Sequence, residues 1–246
     1  MKQTTRPIKD RMNIAYTNLK AEEYIASNPI KVVREMAEKP NATIADIEIC
    51  AMWTAAVVWG DNKGAVKYAT RLMELCEWNP AEYVKLGEFY DLSDDMTVCR
   101  AIKGKQFKEA NHSLRMTYNK VSSVADYARQ HKQTVSDLMV DLSQSLAPFN
   151  FGTPAKNAAC KRTNLLLRWM VRKDDIDLGI WGTQWANKSD LFAVLDKKAA
   201  LTAERLGFIT HSRSSWLSVL ELTETYKSWN RVDPLKYDLV FSSEIF

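Results

Sequence analysis

Apolar residues run almost unbroken through residues 44–58 (IADIEICAMWTAAVV), the pattern of a helix buried on every side. Trp59-Gly60-Asp61-Asn62 interrupts it, with Gly60 and Asn62 as stop signals. A second helix is predicted over residues 63–76, closing before Asn79-Pro80, because the residue preceding a proline is pushed out of helical geometry. The two helices should form a hairpin, with the amphipathic stretches 11–26 and 30–38 packed outside it. Further on, residues 97–103, 107–118 and 135–146 show apolar positions three and four apart, which predicts helices. Thr134 with Asp137 three residues later reads as a capping box.

Residues 148–154 (PFNFGTP) carry the densest turn signal. Gly152 can take a positive φ there, and Pro154 suits the first turn of a helix predicted to run from 155 to 171. Residues 174–187 read as irregular, rich in Trp181 and Trp185, with Ser189 as the cap of a short turn. Asp196 precedes KKAALTAERLG, a helix closed by Gly207. Ser212 or Ser214 should start another helix reaching Trp229, and Asp233-Pro234 the last one. The fold class is all-α, with no repeat, low-complexity tract or linker.

Composition strengthens that reading. The chain has 246 residues, enough for a single domain of two lobes. Its 8 Gly and 7 Pro fall well below the roughly 17 and 12 of average usage, which favours long helices over many short strands. Four scattered cysteines, Cys50, Cys76, Cys99 and Cys160, show no C-x-x-C spacing and argue against a metal cluster or a disulfide framework. No signal-peptide core or run of 18 apolar residues occurs, so the expected location is cytoplasmic, with no membrane partner. His112, His131 and His211 lack metal-ligand spacing, and no phosphate-loop, dinucleotide, esterase or zinc-protease motif is present.

Net charge is only +4, but residues 156–173 hold six cations (Lys156, Lys161, Arg162, Arg168, Arg172 and Lys173) and no acid. Such a field suits a phosphate backbone, although a solvated helix face would look the same. On a helix, Arg168 and Arg172 point within about 20° of Lys161. Neighbouring cations favour the unprotonated amine of a lysine among them, and such an amine can act as a nucleophile. Solvent-facing cations with no further role fit the same spacing. Asp196 follows an apolar run, LFAVL, and its plain role is an N-cap. A carboxylate fixed at a helix N-terminus also stays ionised, and could stabilise a cationic sugar or position a water.

Four segments then carry a resemblance: residues 45–75 (ADIEICAMWTAAVVWGDNKGAVKYATRLMEL), 158–181 (AACKRTNLLLRWMVRKDDIDLGIW), 193–207 (AVLDKKAALTAERLG) and 233–239 (DPLKYDL). They resemble the bacterial family called domain of unknown function 2400, which is in turn similar to the archaeal 8-oxoguanine DNA glycosylases of the helix-hairpin-helix superfamily. That likeness implies two helical lobes around a cleft, divided near residue 148, with the hairpin around residues 149–154. It implies Lys161 of A-C-K-R as nucleophile and Asp196 of V-L-D as catalytic carboxylate, 35 residues apart. It further implies that Lys156, Arg162, Arg168, Arg172, Gly152 and Thr153 contact DNA, with no metal or organic cofactor. The partner is double-stranded DNA containing a damaged base, bound by a monomer. The sequence departs from the likeness in its hairpin, which is not L-P-G-V-G. It reads V-L-D-K-K-A where relatives read P-L-D-T-H-T, and it lacks a histidine just before Arg100. The implied activity is a DNA glycosylase and abasic-site lyase in base excision repair, excising an oxidised base through a lysine Schiff base. The alternative is a non-catalytic DNA-binding protein of the same fold. A helical protein-interaction scaffold, without DNA affinity, is a third reading. Trp59, Trp169 or Trp185 could stack on a flipped base, but core packing is the favoured role for each.

Overall fold

In the computed structural model, residues 7–182 and 185–241 are described, and they hold thirteen α-helices and one two-stranded sheet. Residues 183 and 184, within the segment expected to be irregular, lie outside the described residues. The centre is α4 (Ile44–Ala56), which packs against α3 (Ile30–Ala37), α5 (Asn62–Leu75), α6 (Pro80–Leu86) and α10 (Lys161–Val171). The first two helices, α1 (Ile8–Thr17) and α2 (Ala21–Ala26), precede this group. One continuous cluster of buried apolar side chains extends from Met12 to Phe241.

A helix so enclosed needs both ends fixed and any polar group satisfied. Thr43 caps α4: its Oγ1 accepts the Asp46 N–H, and Asp46 Oδ2 accepts the Thr43 N–H at 2.9 Å. The other oxygen of Asp46 accepts the Ala81 N–H at 2.9 Å and anchors the start of α6. Glu48 is the one acid fully buried in α4. It accepts bonds from Trp181 Nε1 (2.6 Å), the Tyr118 hydroxyl (2.8 Å), Ser123 Oγ (2.8 Å) and the Val124 N–H (3.0 Å). Through this residue α4 is joined to the end of α7 (Gly104–Tyr118), the start of α8 (Val124–Gln130) and the loop beyond α10.

Several expectations from the pattern fail. Residues 97–103 are not helical but form the hairpin β1 (Thr97–Cys99) and β2 (Ile102–Lys103), with Arg100 at φ 56°. Val98, Cys99 and Ile102 are buried in either geometry, so apolar spacing over so short a run does not separate the two. Helix α7 then begins at Gly104, where a Cβ would lie 1.9 Å from the Ser93 carbonyl oxygen, so only glycine fits.

The helix predicted over 155–171 starts later. After α9 (Val135–Ser145), whose Thr134–Asp137 capping box is present as expected, come two short 3₁₀ turns, Ala147–Phe149 and Pro154–Lys156. Asn150, Asn157 and Cys160 adopt left-handed geometry (φ 57°, 53° and 49°), and helix α10 opens only at Lys161. Gly152 is not the positive-φ residue; it supplies space, since a Cβ would approach the Ala158 Cβ to 2.7 Å. The chain ends in α11 (Lys197–Arg205), α12 (Trp216–Trp229, capped by Ser215 rather than Ser212 or Ser214) and α13 (Asp238–Phe241). Asn157 docks on α12, accepting the Trp216 N–H on its carbonyl and the Leu217 N–H on its side chain.

Candidate active site

Lys161 is the first residue of α10, and Asp196 is the N-cap of α11. Their side chains meet, with Lys161 Nζ donating to Asp196 Oδ2 at 2.9 Å. The other oxygen, Oδ1, accepts the Ala199 N–H at 2.9 Å. Burial would raise the Asp196 carboxyl, but the Ala199 N–H and the Lys161 ammonium outweigh it and hold the group below the usual carboxylate range. The cap and the ion pair are therefore one arrangement: the helix start fixes the carboxylate, and the carboxylate fixes the lysine.

The pair stands, partly exposed, at the mouth of a cleft of about 650 Å³. Tyr24, Arg168 and Asp238 also line the cleft, and the last two are almost fully buried. Arg168 Nη2 donates to the Tyr24 hydroxyl at 3.5 Å, and Asp238 Oδ2 accepts the Val194 N–H at 2.9 Å. Gly60, in the break after α4, and Asn62, the first residue of α5, also line the cleft. The volume suits a small polar ligand with both donors and acceptors on its edge. Tyr24 and Asp238 lie far from Lys161 in sequence, and only the Y-D-L of residues 237–239, an acid among apolar neighbours, hinted at either.

Burial pushes the Asp238 carboxyl up to about 7, against the opposing pull of Arg168 and the Val194 N–H. An unfolded aspartate titrates near ~3.9, so between that value and about 7 the folded chain keeps a proton that the unfolded chain has lost. Stability should therefore fall as pH rises through this window and level off above it. Urea unfolding at about pH 5 and about pH 8 should show wild type losing on the order of 2 kcal/mol relative to Asp238→Asn. Parallel behaviour of the two proteins would show that Asp238 titrates normally.

The basic window divides in two. Lys161 lines the cleft and Arg162 turns to the Asn150 carbonyl and the Trp59 ring, while Lys156 is exposed on the 3₁₀ turn that follows Gly152 and Thr153. Arg168 and Arg172 were expected to face DNA phosphates; they point inward instead. Arg172 is fully buried, with Nε and Nη2 on the two oxygens of Asp233 (2.9 and 3.1 Å) and Nη1 on Asp177 (2.8 Å) and on Asp174. Arg168 pairs with Asp177 at 3.3 Å. The acid-free window thus meets its counter-charges just beyond its end and from sixty residues on, and those carboxylates occupy the forks that a phosphate would need. Trp169 is fully buried in the core, and Trp185 donates its indole N–H to the Gln133 carbonyl; neither lines the cleft.

All four cysteines are buried thiols, and among the described residues no three His, Cys, Asp or Glu converge as metal ligands. No helix among them is long and apolar enough to cross a membrane.

The architecture and site define a helical protein with a lysine–carboxylate pair at the mouth of a polar cleft. The chain matches, over residues 28–243, the family described as protein of unknown function (DUF2400), and it belongs to that family. No curated protein and no solved structure matches it.

Proposed function

We propose that the protein is a DNA glycosylase and abasic-site lyase that removes an oxidised base, with 8-oxoguanine the leading substrate. The observation that carries this reading is the Lys161–Asp196 ion pair at the cleft mouth, 2.9 Å across and supplied by two helix starts. The resemblance to the archaeal 8-oxoguanine glycosylases, read from the sequence alone, implies the nucleophile and the carboxylate on these same two residues. A further support is the sequence of elements, in which α9 and α10 pack together and the lysine opens the second helix.

The reaction follows from the pair. A nucleotide extruded from the duplex, at a cost of a few kcal/mol of unstacking, places its sugar at the mouth and its base toward Tyr24, Arg168 and Asp238. The Lys161 ammonium first passes a proton to solvent water, and its free amine then forms a bond to C1′. The C1′–N bond to the base breaks, and the base leaves with a proton. Opening of the sugar ring at O4′ gives a protonated imine between Lys161 and C1′. Asp196, held ionised by its helix, offsets the positive charge that builds on the sugar. Loss of a C2′ proton then expels the 3′ phosphate by β-elimination, and water releases the lysine.

A second reading, a DNA-binding protein of the same fold without the chemistry, draws on Lys198. This additional cation lines the cleft just after Asp196. Borohydride separates the two, because it reduces the imine to a stable amine. The wild-type protein is expected to yield a covalent adduct with duplex DNA containing one 8-oxoguanine. Absence of an adduct there, and with uracil, hypoxanthine and abasic-site duplexes, would overturn the enzyme reading in favour of the second.

A further inference from the structure

Trp59 closes the segment after α4, and two guanidinium groups rest on its ring: Arg100 at 5.1 Å from the centroid and Arg162 at 5.5 Å. Arg100 stands at the tip of the β1–β2 hairpin, also lies 5.3 Å from the Tyr68 ring, and donates to the Val57 carbonyl at 3.4 Å. Arg162 donates to the Asn150 carbonyl on the loop between α9 and α10. Two stretches of chain far apart in sequence thus converge on one aromatic ring. Gly60, the next residue, leaves room for Arg100: a Cβ there would come within 2.5 Å of Nη2.

The charge balance here is the reverse of that around Arg172. Among the described residues, neither Arg100 nor Arg162 has a carboxylate within ion-pair distance. The nearest acid in sequence, Asp61, turns its Oδ1 to the Gly64 N–H at 2.7 Å as the cap of α5. Arg162 Nε and Trp59 Nε1 are both buried donors without a partner. Stacked arginines lose little further freedom on binding, and their planar forks match the oxygens of a phosphate. The cluster adjoins the cleft, since Gly60 lines its rim and Arg162 follows Lys161.

We propose that Arg100 and Arg162, ordered by Trp59, form a phosphate-binding shoulder on the rim of the cleft. Its ligand is the phosphodiester backbone of the DNA strand whose nucleotide enters beside Lys161. The assignment rests on the reading of the protein as DNA-binding, but not on its catalysing base removal. Each arginine neutralises one phosphate and releases its counterions, so binding weakens with salt in proportion to the number of contacts.

The test is fluorescence anisotropy of the whole protein on a duplex with a tetrahydrofuran abasic analogue, repeated over a potassium chloride series. Arg100→Gln and Arg162→Gln are each expected to reduce the slope of log affinity against log salt by about one, and the double variant by about two. Arg100→Lys and Arg162→Lys should restore the slope, because they keep the charge. An unchanged slope in the double variant overturns the shoulder. If the glutamine variants unfold, phenylglyoxal labelling of the wild type reads the same contacts. DNA should protect both arginines, and unprotected arginines in the complex overturn the proposal. A wild type that binds with the expected slope and loses it in the double variant, yet gives no borohydride adduct, refutes the glycosylase and keeps the shoulder.

Discussion

Lys161→Gln is expected to abolish the borohydride adduct and lower base excision by roughly 10³-fold or more, the scale of removing a nucleophile. Its amine is the only atom in the reading above that bonds to the sugar, so no partial adduct should survive. Asp196→Asn should behave differently. Asparagine caps a helix about as well as aspartate, so the Ala199 N–H keeps its acceptor and α11 its start. What is lost is the negative charge facing the sugar, expected to slow excision by roughly 10²–10³-fold while adduct still forms. Because Asp196 is held below the ordinary carboxylate range, it should stay ionised through neutrality. It should therefore give the rate no limb near neutral pH. Single-turnover excision by the three proteins across pH checks both statements. Equal adduct yield from wild type and Lys161→Gln would remove the lysine from the mechanism.

Arg172→Ala should cost about 3–5 kcal/mol of folding stability, the range for removing one partner from a buried ionic group. Three carboxylates, Asp174, Asp177 and Asp233, converge on this one guanidinium. Without it, Asp177, which is fully buried, keeps only the longer contact to Arg168. Tyr16 loses the donor that reaches its hydroxyl at 3.0 Å. Arg172→Lys should be intermediate, since an ammonium supplies charge but not the planar fork that takes both oxygens of Asp233. Denaturant midpoints for the three proteins measure this directly. A loss below about 1 kcal/mol for the alanine variant would mean that the network is surface-like in its energetics.

The contrast between these variants shows what the sequence could reveal. Long patterns were legible: the enclosed helix around Glu48, the Thr134 capping box, and Asp196 as the start of α11 all follow from local rules that tertiary contacts reinforce. The lysine–carboxylate pair was legible only through family likeness, because nothing in the spacing of residues 161 and 196 dictates contact. Short elements were not legible. Seven residues from Thr97 to Lys103 satisfy a helix and a hairpin alike, and the left-handed turns at Asn157 and Cys160 have no glycine to announce them. The arginines misled for a different reason. Charge counted along a window ignores counter-charges that the fold imports, and Asp233 is sixty-one residues from Arg172. Asp238 and Tyr24 were hidden likewise, since a cleft is a property of the assembled chain.

That assembly has an implication for the order of events during synthesis. The Tyr237 hydroxyl donates to the Asn13 side chain at 3.1 Å, and Tyr16 meets Arg172 beside Asp233. The cleft itself is shared among Tyr24, Lys161 and Asp238. Until the ribosome has passed residue 238, a growing chain lacks the Asp238 part of the cleft that Lys161 also lines. The buried arginines also lack one of their anchoring acids. The cleft is therefore complete only when the two distant arms of the polypeptide, joined at Asn13 and Tyr237, have closed on each other.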